Sequence, residues 1–358
     1  MLPMGCEHRL NVRSTAEMTV GDLARLKTVL ESSEAIGRYE WESRPKRGGL
    51  VFRFVPLFLL YMLMECRKTT YRGIVRNLSD DDCISLGLTD AGGGPKRPSA
   101  ATLNEFVNKR LPCIIGDIGN EVVSAIIGMS EKLIITIDST PVQASRYNRD
   151  ADYNPYYEIR MDKCHILMVN GHPLFMIQSS GNAGDNPFAE PLIRMLSGCD
   201  IKGKEIEMYV DGGYDAFLTY AVAYMVTGTV MMCNYGPDAV HSGADGEKIK
   251  DTYARMWKTK GYDPHKKNDI DFMLRFLYAN GKEELAGRYL RDRSMDLDKD
   301  GAERPSTRFV CETMHRSMKR WIELSIFRIR KATKILRMRC RFLCVQFLSV
   351  LFTDYLEA

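Results

Sequence analysis

Three carboxylates stand in this chain where phosphodiester chemistry could use them. Asp138 follows the apolar run Leu133 to Ile137, Asp211 follows Ile206 to Val210, and Glu312 lies inside a strongly basic segment. Both runs read as short buried strands, so each Asp closes a strand, and neighbouring strand ends project side chains into one crevice. Mg²⁺ is a hard ion that takes oxygen ligands and keeps several waters, so two or three carboxylates suffice to hold a pair of ions. Two ions about 3.5–4 Å apart activate an attacking oxygen and stabilise a leaving one. Each acid alone has a plainer reading, as a turn acceptor or a solvated helix carboxylate; their joint placement is what favours a site. Asp185 and Asp215 compete for the second position. Asp211 is preferred because it directly ends a buried run, whereas Asp215 falls at a helix start, where an N-cap is the simpler role. Gly212 and Gly213 let the backbone turn sharply beside Asp211.

The segment around Glu312 adds cations at helical spacing. Arg308, Glu312, Arg316 and Lys319 lie at i, i+4, i+8 and i+11, which sets one carboxylate among three cations on one face. Such a face suits Glu312 to a metal and the cations to the phosphates of a DNA end; the alternative is an internal ion-pair ladder. From Arg304 to Arg339 there are eleven basic residues against Glu312 and Glu323, a local charge of +9 that leaves the rest of the +4 chain at −5. Positive charge is thus gathered where a polyanion could meet it. Competing readings are a solvated helix face and a membrane-surface helix leading into the apolar stretch Phe342 to Phe352, which is too short to span a bilayer. His315 and Trp321 read as packed residues, and Tyr214 either packs beneath the site or touches DNA.

The elements that must position these groups follow from periodicity. With 358 residues, 45% hydrophobic and 27% charged, the chain has a globular composition and room for two or three domains, which excludes disordered and fibrous classes. Residues 1–130 read as helical, from Leu23, Leu26, Val29 and Leu30 through a core helix over Val51 to Met64 to Val122, Val123, Ile126 and Ile127. A polar turn region from Ser79 to Pro98, holding Asp80 to Asp82, precedes a helix from Thr102 to Leu111 opened by a Thr102/Glu105 capping box. Helix, turn, helix can place its second helix in a DNA groove, though such hairpins also serve as packing units. After Lys132 the order becomes β-β-β-α-β-α-β: strands Leu133 to Ile137, Cys164 to Val169 and Pro173 to Gln178 about an Asn170-Gly171 hairpin, helix Phe188 to Leu196, strand Ile206 to Val210, helix Ala216 to Val226, strand Val230 to Cys233. An insertion at about 235–303, with helices near Phe272 to Tyr278 and Leu285 to Leu290, separates this core from the long basic helix. The domains are therefore 1–130, 131–350 and a tail at 351–358. Ten scattered cysteines without a C-x-x-C pair argue against a disulfide framework or structural zinc. No secretory signal opens the sequence, so a reduced, cytoplasmic protein is expected.

Over about residues 50–350 the sequence resembles the bacterial and archaeal insertion-sequence transposases, which carry a DDE triad on an RNase H-like fold. Ile137-Asp138-Ser139-Thr140-Pro141-Val142 looks like their first-Asp motif, and Lys163-Cys164-His165 with Asn170-Gly171-His172-Pro173-Leu174 resembles the hairpin after it. Ser180-Gly181-Asn182-Ala183-Gly184-Asp185 and Val210-Asp211-Gly212-Gly213-Tyr214-Asp215 are similar to the approach to the second Asp and its D-x-G-Y-D turn. Arg308, Glu312 and Lys319 match the spacing of the Y-(2)-R-(3)-E-(6)-K signature, with Pro305 in place of its Tyr; a proline suits a first helical turn. The resemblance implies an α/β, RNase H-like mixed sheet flanked by helices, an N-terminal all-helical region that binds DNA ends, and a basic C-terminal helix. It implies metal-assisted endonuclease cleavage at the ends of a mobile element, then attack of the freed 3′-hydroxyl on target DNA. Asp138, Asp211 and Glu312 would be the catalytic residues holding two Mg²⁺ or Mn²⁺ ions, and Arg308, Arg316 and Lys319 would bind DNA. The partners would be double-stranded DNA, as element ends and target, and a second copy of the chain in a homodimer on DNA, with no membrane, at the prokaryotic nucleoid. The rivals are a domesticated or inactivated descendant that binds DNA without cutting it, and an RNase H-like nuclease without strand transfer.

Overall fold

The structure is a computed structural model that describes residues 18–43, 52–144, 151–235, 266–299, 309–312 and 334–357, with a few single positions such as His315 between them. The core helix α3 (Phe54–Cys66) is apolar at nearly every position and is buried all round instead of along one stripe. Pro56 falls in its first turn, where no intrahelical donor is lost. Four helices pack on α3: α1 (Val20–Glu31), which buries Leu23, Leu26 and Leu30, α2 (Glu34–Glu42), α4 (Tyr71–Arg76) and α5 (Asp80–Leu86). The acidic run expected in a turn is instead the first turn of α5, boxed by Ser79 and Asp82, because carboxylates stabilise a helix N-terminus. The next cap is Ser99, whose hydroxyl accepts from the Thr102 N–H, so the expected Thr102 box is displaced by one turn. The helix it opens does not stop at Leu111. α6 (Ala100–Glu105) continues through a π-helical turn, Phe106–Arg110, into α7 (Leu111–Gly128). Pro112 accounts for the widened turn, since it cannot donate to the Asn108 carbonyl and its ring crowds that oxygen. Ala100–Gly128 is also the one helix among the described residues long and apolar enough to cross a membrane, a test that core helices pass as well.

The second unit is a six-stranded mixed sheet: β1 (Lys132–Gln143), β2 (Asp152–Asn154), β3 (Ile159–Val169), β4 (His172–Ser180), β5 (Glu205–Val210) and β6 (Met232–Cys233). β3, β1, β5 and β6 lie side by side, and β2 and β4 both pair with β3. β3 is antiparallel to β1, β2 and β4, while β5 runs parallel to β1 and β6. Asn170 and Gly171, at φ 50 and 83, form the expected two-residue turn, and His172 already belongs to β4. The Asn170 side chain also fastens the hairpin to β1, accepting from the Ile134 N–H at 2.8 Å and donating to the Lys132 carbonyl at 2.9 Å. β1 does not end at Asp138. It stays extended through Ser139, Thr140 and Pro141 opposite Lys163 to His165, so Asp138 is a mid-strand residue. The apolar run stops at Ile137 while the strand runs on to Gln143, which is why the sequence reads as a strand end at Asp138.

Helix α8 (Asn186–Met195) packs on β3 and β4 and against α9 (Phe217–Thr227). The inserted helices are longer than their apolar patterns, α10 (Lys267–Ala279) and α11 (Glu283–Lys299), and α11 packs along α9. Residues 309–312 and His315 are helical; Arg308, Arg316 and Lys319 lie outside the described residues. The last helix, α12 (Lys334–Glu357), buries Met338, Leu343 and Phe347. Phe347 meets the Phe58 ring edge-on at 5.7 Å, and Arg341 pairs with Glu65 at 2.8 Å. Contacts accordingly divide the chain into residues 1–126, 144–150 and 317–358 in one unit and 127–143 and 151–316 in the other. In this division α12 falls with the helical unit and not with the sheet, and its residues Phe342 to Ser349 are buried.

Candidate active site

The parallel pairing of β1 with β5 matches Ile137 to Val210, so the next residue on each, Asp138 and Asp211, come side by side. Alternation puts Thr136 and Asp138 on one face of β1. Thr136 Oγ1 lies 3.1 Å from His315 Nε2, and Cys311 packs with Tyr209 and Met232. The helical segment carrying Glu312 therefore lies over the Asp138 face of the sheet. The Cys311 thiol records this neighbourhood: burial raises its pKa, and the charges of Asp138, Asp211, Cys233 and Glu312 raise it further. Asp138 accepts the Ser139 N–H at 2.7 Å, Asp211 faces the Asn234 amide at 3.4 Å, and Glu312 is exposed. Among the described residues, no three His, Cys, Asp or Glu side chains stand close enough together to hold a metal ion. The structure thus brings Asp138 and Asp211 together and lays the Glu312 segment on their face without closing the three into one ligand set. Carboxylate oxygens are nonetheless the donors that Mg²⁺ and Mn²⁺ prefer, so the chemistry of these residues fits such ions.

Beneath the opposite face lies a polar group that periodicity places but does not identify. Ser139 sits opposite His165 in the ladder, on the side covered by α8. His165 is fully buried, with Nδ1 3.0 Å from the Tyr214 hydroxyl, Nε2 2.8 Å from Ser179 Oγ and its ring stacked on Phe188 at 4.1 Å. Burial lowers the His165 pKa to about 4, against the opposing pull of Asp185. Lys163 Nζ donates to Asp185 Oδ1 at 3.2 Å and to the Ala183 carbonyl at 3.0 Å. Asp185 is therefore an ion-pair partner on this side of the sheet, and Tyr214 packs under the site. Burial, followed by the charges of Asp185, Asp138 and Asp211, raises the Tyr214 pKa well above its usual value, opposed by a hydrogen bond from Ser139.

Asp215 is not the N-cap of α9. Ala216 occupies that position, and Asp215 instead takes both its oxygens to Arg291, at 2.8 Å from Nε and 2.8 Å from Nη2. Neither the His165–Tyr214 nor the Asp215–Arg291 contact has a local signature, because the partners are 49 and 76 residues apart. In comparison with known proteins, no family model, curated protein or solved structure matches this chain, so a functional reading stands on the residues just described.

Proposed function

We propose that this chain is a DDE transposase whose sheet-bearing unit is an RNase H-like catalytic core. The observation that carries the reading is the β1–β5 pairing that sets Asp138 beside Asp211, with the Glu312 segment over the same face. The succession of antiparallel β1, β3 and β4 and then parallel β5 and β6 supports it as well. Asp138, Asp211 and Glu312 would hold two Mg²⁺ or Mn²⁺ ions, which when bound supply a nucleophile at neutral pH and stabilise the leaving oxygen. Arg308, Arg316 and Lys319 neutralise phosphates beside the cleaved bond, and the helical unit reads the element's ends. Two ends must be held together for joining, so the working species is a homodimer on double-stranded DNA at the prokaryotic nucleoid.

Purified protein with Mg²⁺ or Mn²⁺ is expected to nick duplexes carrying the element's ends, leaving a 3′-hydroxyl, and to join that end to target DNA. Asp138→Ala, Asp211→Ala and Glu312→Ala should each abolish cleavage while retaining end binding, because these side chains serve the reaction and not docking. Cleavage retained by any one variant removes that residue from the site. Specific binding without cleavage by the unaltered chain would assign it to inactivated descendants, and cleavage without joining would make it a nuclease.

A further inference from the structure

We propose that the turn Asp211 to Asp215 is a rigid mount for the Asp211 carboxylate, fastened by the inserted helix α11 with Arg291 as its positioning residue; this rests on the metal-site reading above. β5 is matched to β6 at only two residues, Tyr209 and Val210, so the sheet's outer ladder stops just before Asp211. The direction of that side chain is left to the turn and to the Asn234 amide, which donates to Asp211 Oδ1 at 3.4 Å. The turn closes on itself through the Tyr214 N–H to the Asp211 carbonyl at 3.0 Å and the Asp215 N–H to the Gly212 carbonyl at 3.2 Å. Each residue after Asp211 is then held from outside. A Cβ at Gly212 would lie 2.6 Å from the Asn234 carbonyl, and one at Gly213 would lie 2.9 Å from Asp185 Oδ2. Tyr214 is tied to His165, and Asp215 to Arg291 and, at 3.0 Å, to the Tyr220 hydroxyl.

The fastening from α11 is built for geometry. Arg291 and Asp215 keep only 12% and 23% of their side chains exposed, and the guanidinium lies over the Tyr235 ring at 5.3 Å. A shielded ion pair of this sort roughly breaks even in stability against apolar packing. Its two-pronged fork does what apolar contact cannot, fixing the carboxylate's position and angle. α11 reaches the turn because Gly287, one helical turn before Arg291, presses on α9: a Cβ there would collide with the Phe217 carbonyl oxygen. Arg288 covers the Phe217 ring at 4.8 Å. The insertion is thus part of the support of the candidate site, and loosening the fork loosens Asp211.

The test compares full-length protein with Arg291→Lys, which keeps the charge and loses the fork, and with Asp215→Asn. Hydrogen exchange of the Tyr214 and Asp215 amides reads the mount, β1 and β5 amides control for global opening, and Mn²⁺ affinity reads its consequence, with Asp211→Ala as reference. Both variants are expected to speed exchange in the turn while β1 and β5 stay protected, and to weaken Mn²⁺ binding by about 10-fold or more, the usual effect of removing a group that orients a metal ligand. Unchanged exchange in the turn overturns the mount, whatever the metal does. Faster exchange with wild-type Mn²⁺ affinity overturns the positioning role. If the unaltered protein binds no Mn²⁺ that Asp211→Ala removes, the metal reading itself fails, and that result comes from the wild-type arm alone.

Discussion

His165 shows how one buried residue ties the fold to pH. The unfolded chain's imidazole takes its proton near 6.5, whereas the folded one, desolvated between Tyr214, Ser179 and Phe188, holds off until about 4. Between those values the unfolded state binds more protons, so stability falls as pH drops from about 6.5 to about 4 and levels off below; a shift of this size is worth roughly 3 kcal/mol. His165→Gln should flatten that part of the profile in urea titrations run from pH 4 to 7. A slope equal to that of the unaltered protein would locate the titration elsewhere. The cations near Glu312 separate by a different measurement. A phosphate contact releases counterions, so Lys319→Ala and Arg308→Ala should each weaken DNA binding and flatten the dependence of log K on log salt by about one unit. An internal ion-pair ladder would leave the slope unchanged.

Among the elements, the close approach of α11 to α9 sets two local effects in opposition. Gly287→Ala gains about 1 kcal/mol of helix propensity, yet its methyl would collide with the Phe217 carbonyl oxygen, a backbone atom that cannot rotate away. Net destabilisation is expected, seen as a lower urea midpoint; a more stable variant would mean that α11 moves off α9 without loss. The α3–α12 pair offers another contrast. Arg341→Ala leaves Glu65 as a shielded, unpaired charge and should cost about 3–5 kcal/mol, whereas Glu65→Leu with Arg341→Met should come close to neutral. The sequence made α3, the Asn170-Gly171 hairpin, β5 and α9 legible because each carries its signal within a few residues. Asp138 and Asp211 were legible as acids beside apolar runs, although β1 proves to continue past the first. The Asp80 to Asp82 run misled because the same carboxylates serve a turn or a helix N-terminus. The placement of α12, and the partners of Tyr214 and Asp215, were not legible, because periodicity says that a face is buried and not by what.

For the molecule as a whole, the two units are not consecutive stretches of sequence. Deleting residues 1–130 would remove the helices that cover α12, leaving Met338, Leu343 and Phe347 without their packing. A fragment of residues 131–358 is therefore expected to aggregate in size-exclusion chromatography, and residues 127–316 to run as a folded monomer with its sheet intact. A monodisperse 131–358 fragment would show that α12 is stable without the helical unit. Synthesis meets the same arrangement in time. α3 and α12 bracket the sheet in sequence, and at about 5–20 residues per second a ribosome takes on the order of tens of seconds to travel from one to the other. Throughout that interval the nascent helices wait with the surface for α12 uncovered, a demand that falls on chaperones. On the function proposed above, end reading would then belong only to chains that already carry Asp138, Asp211 and Glu312, and an interrupted translation product would lack it.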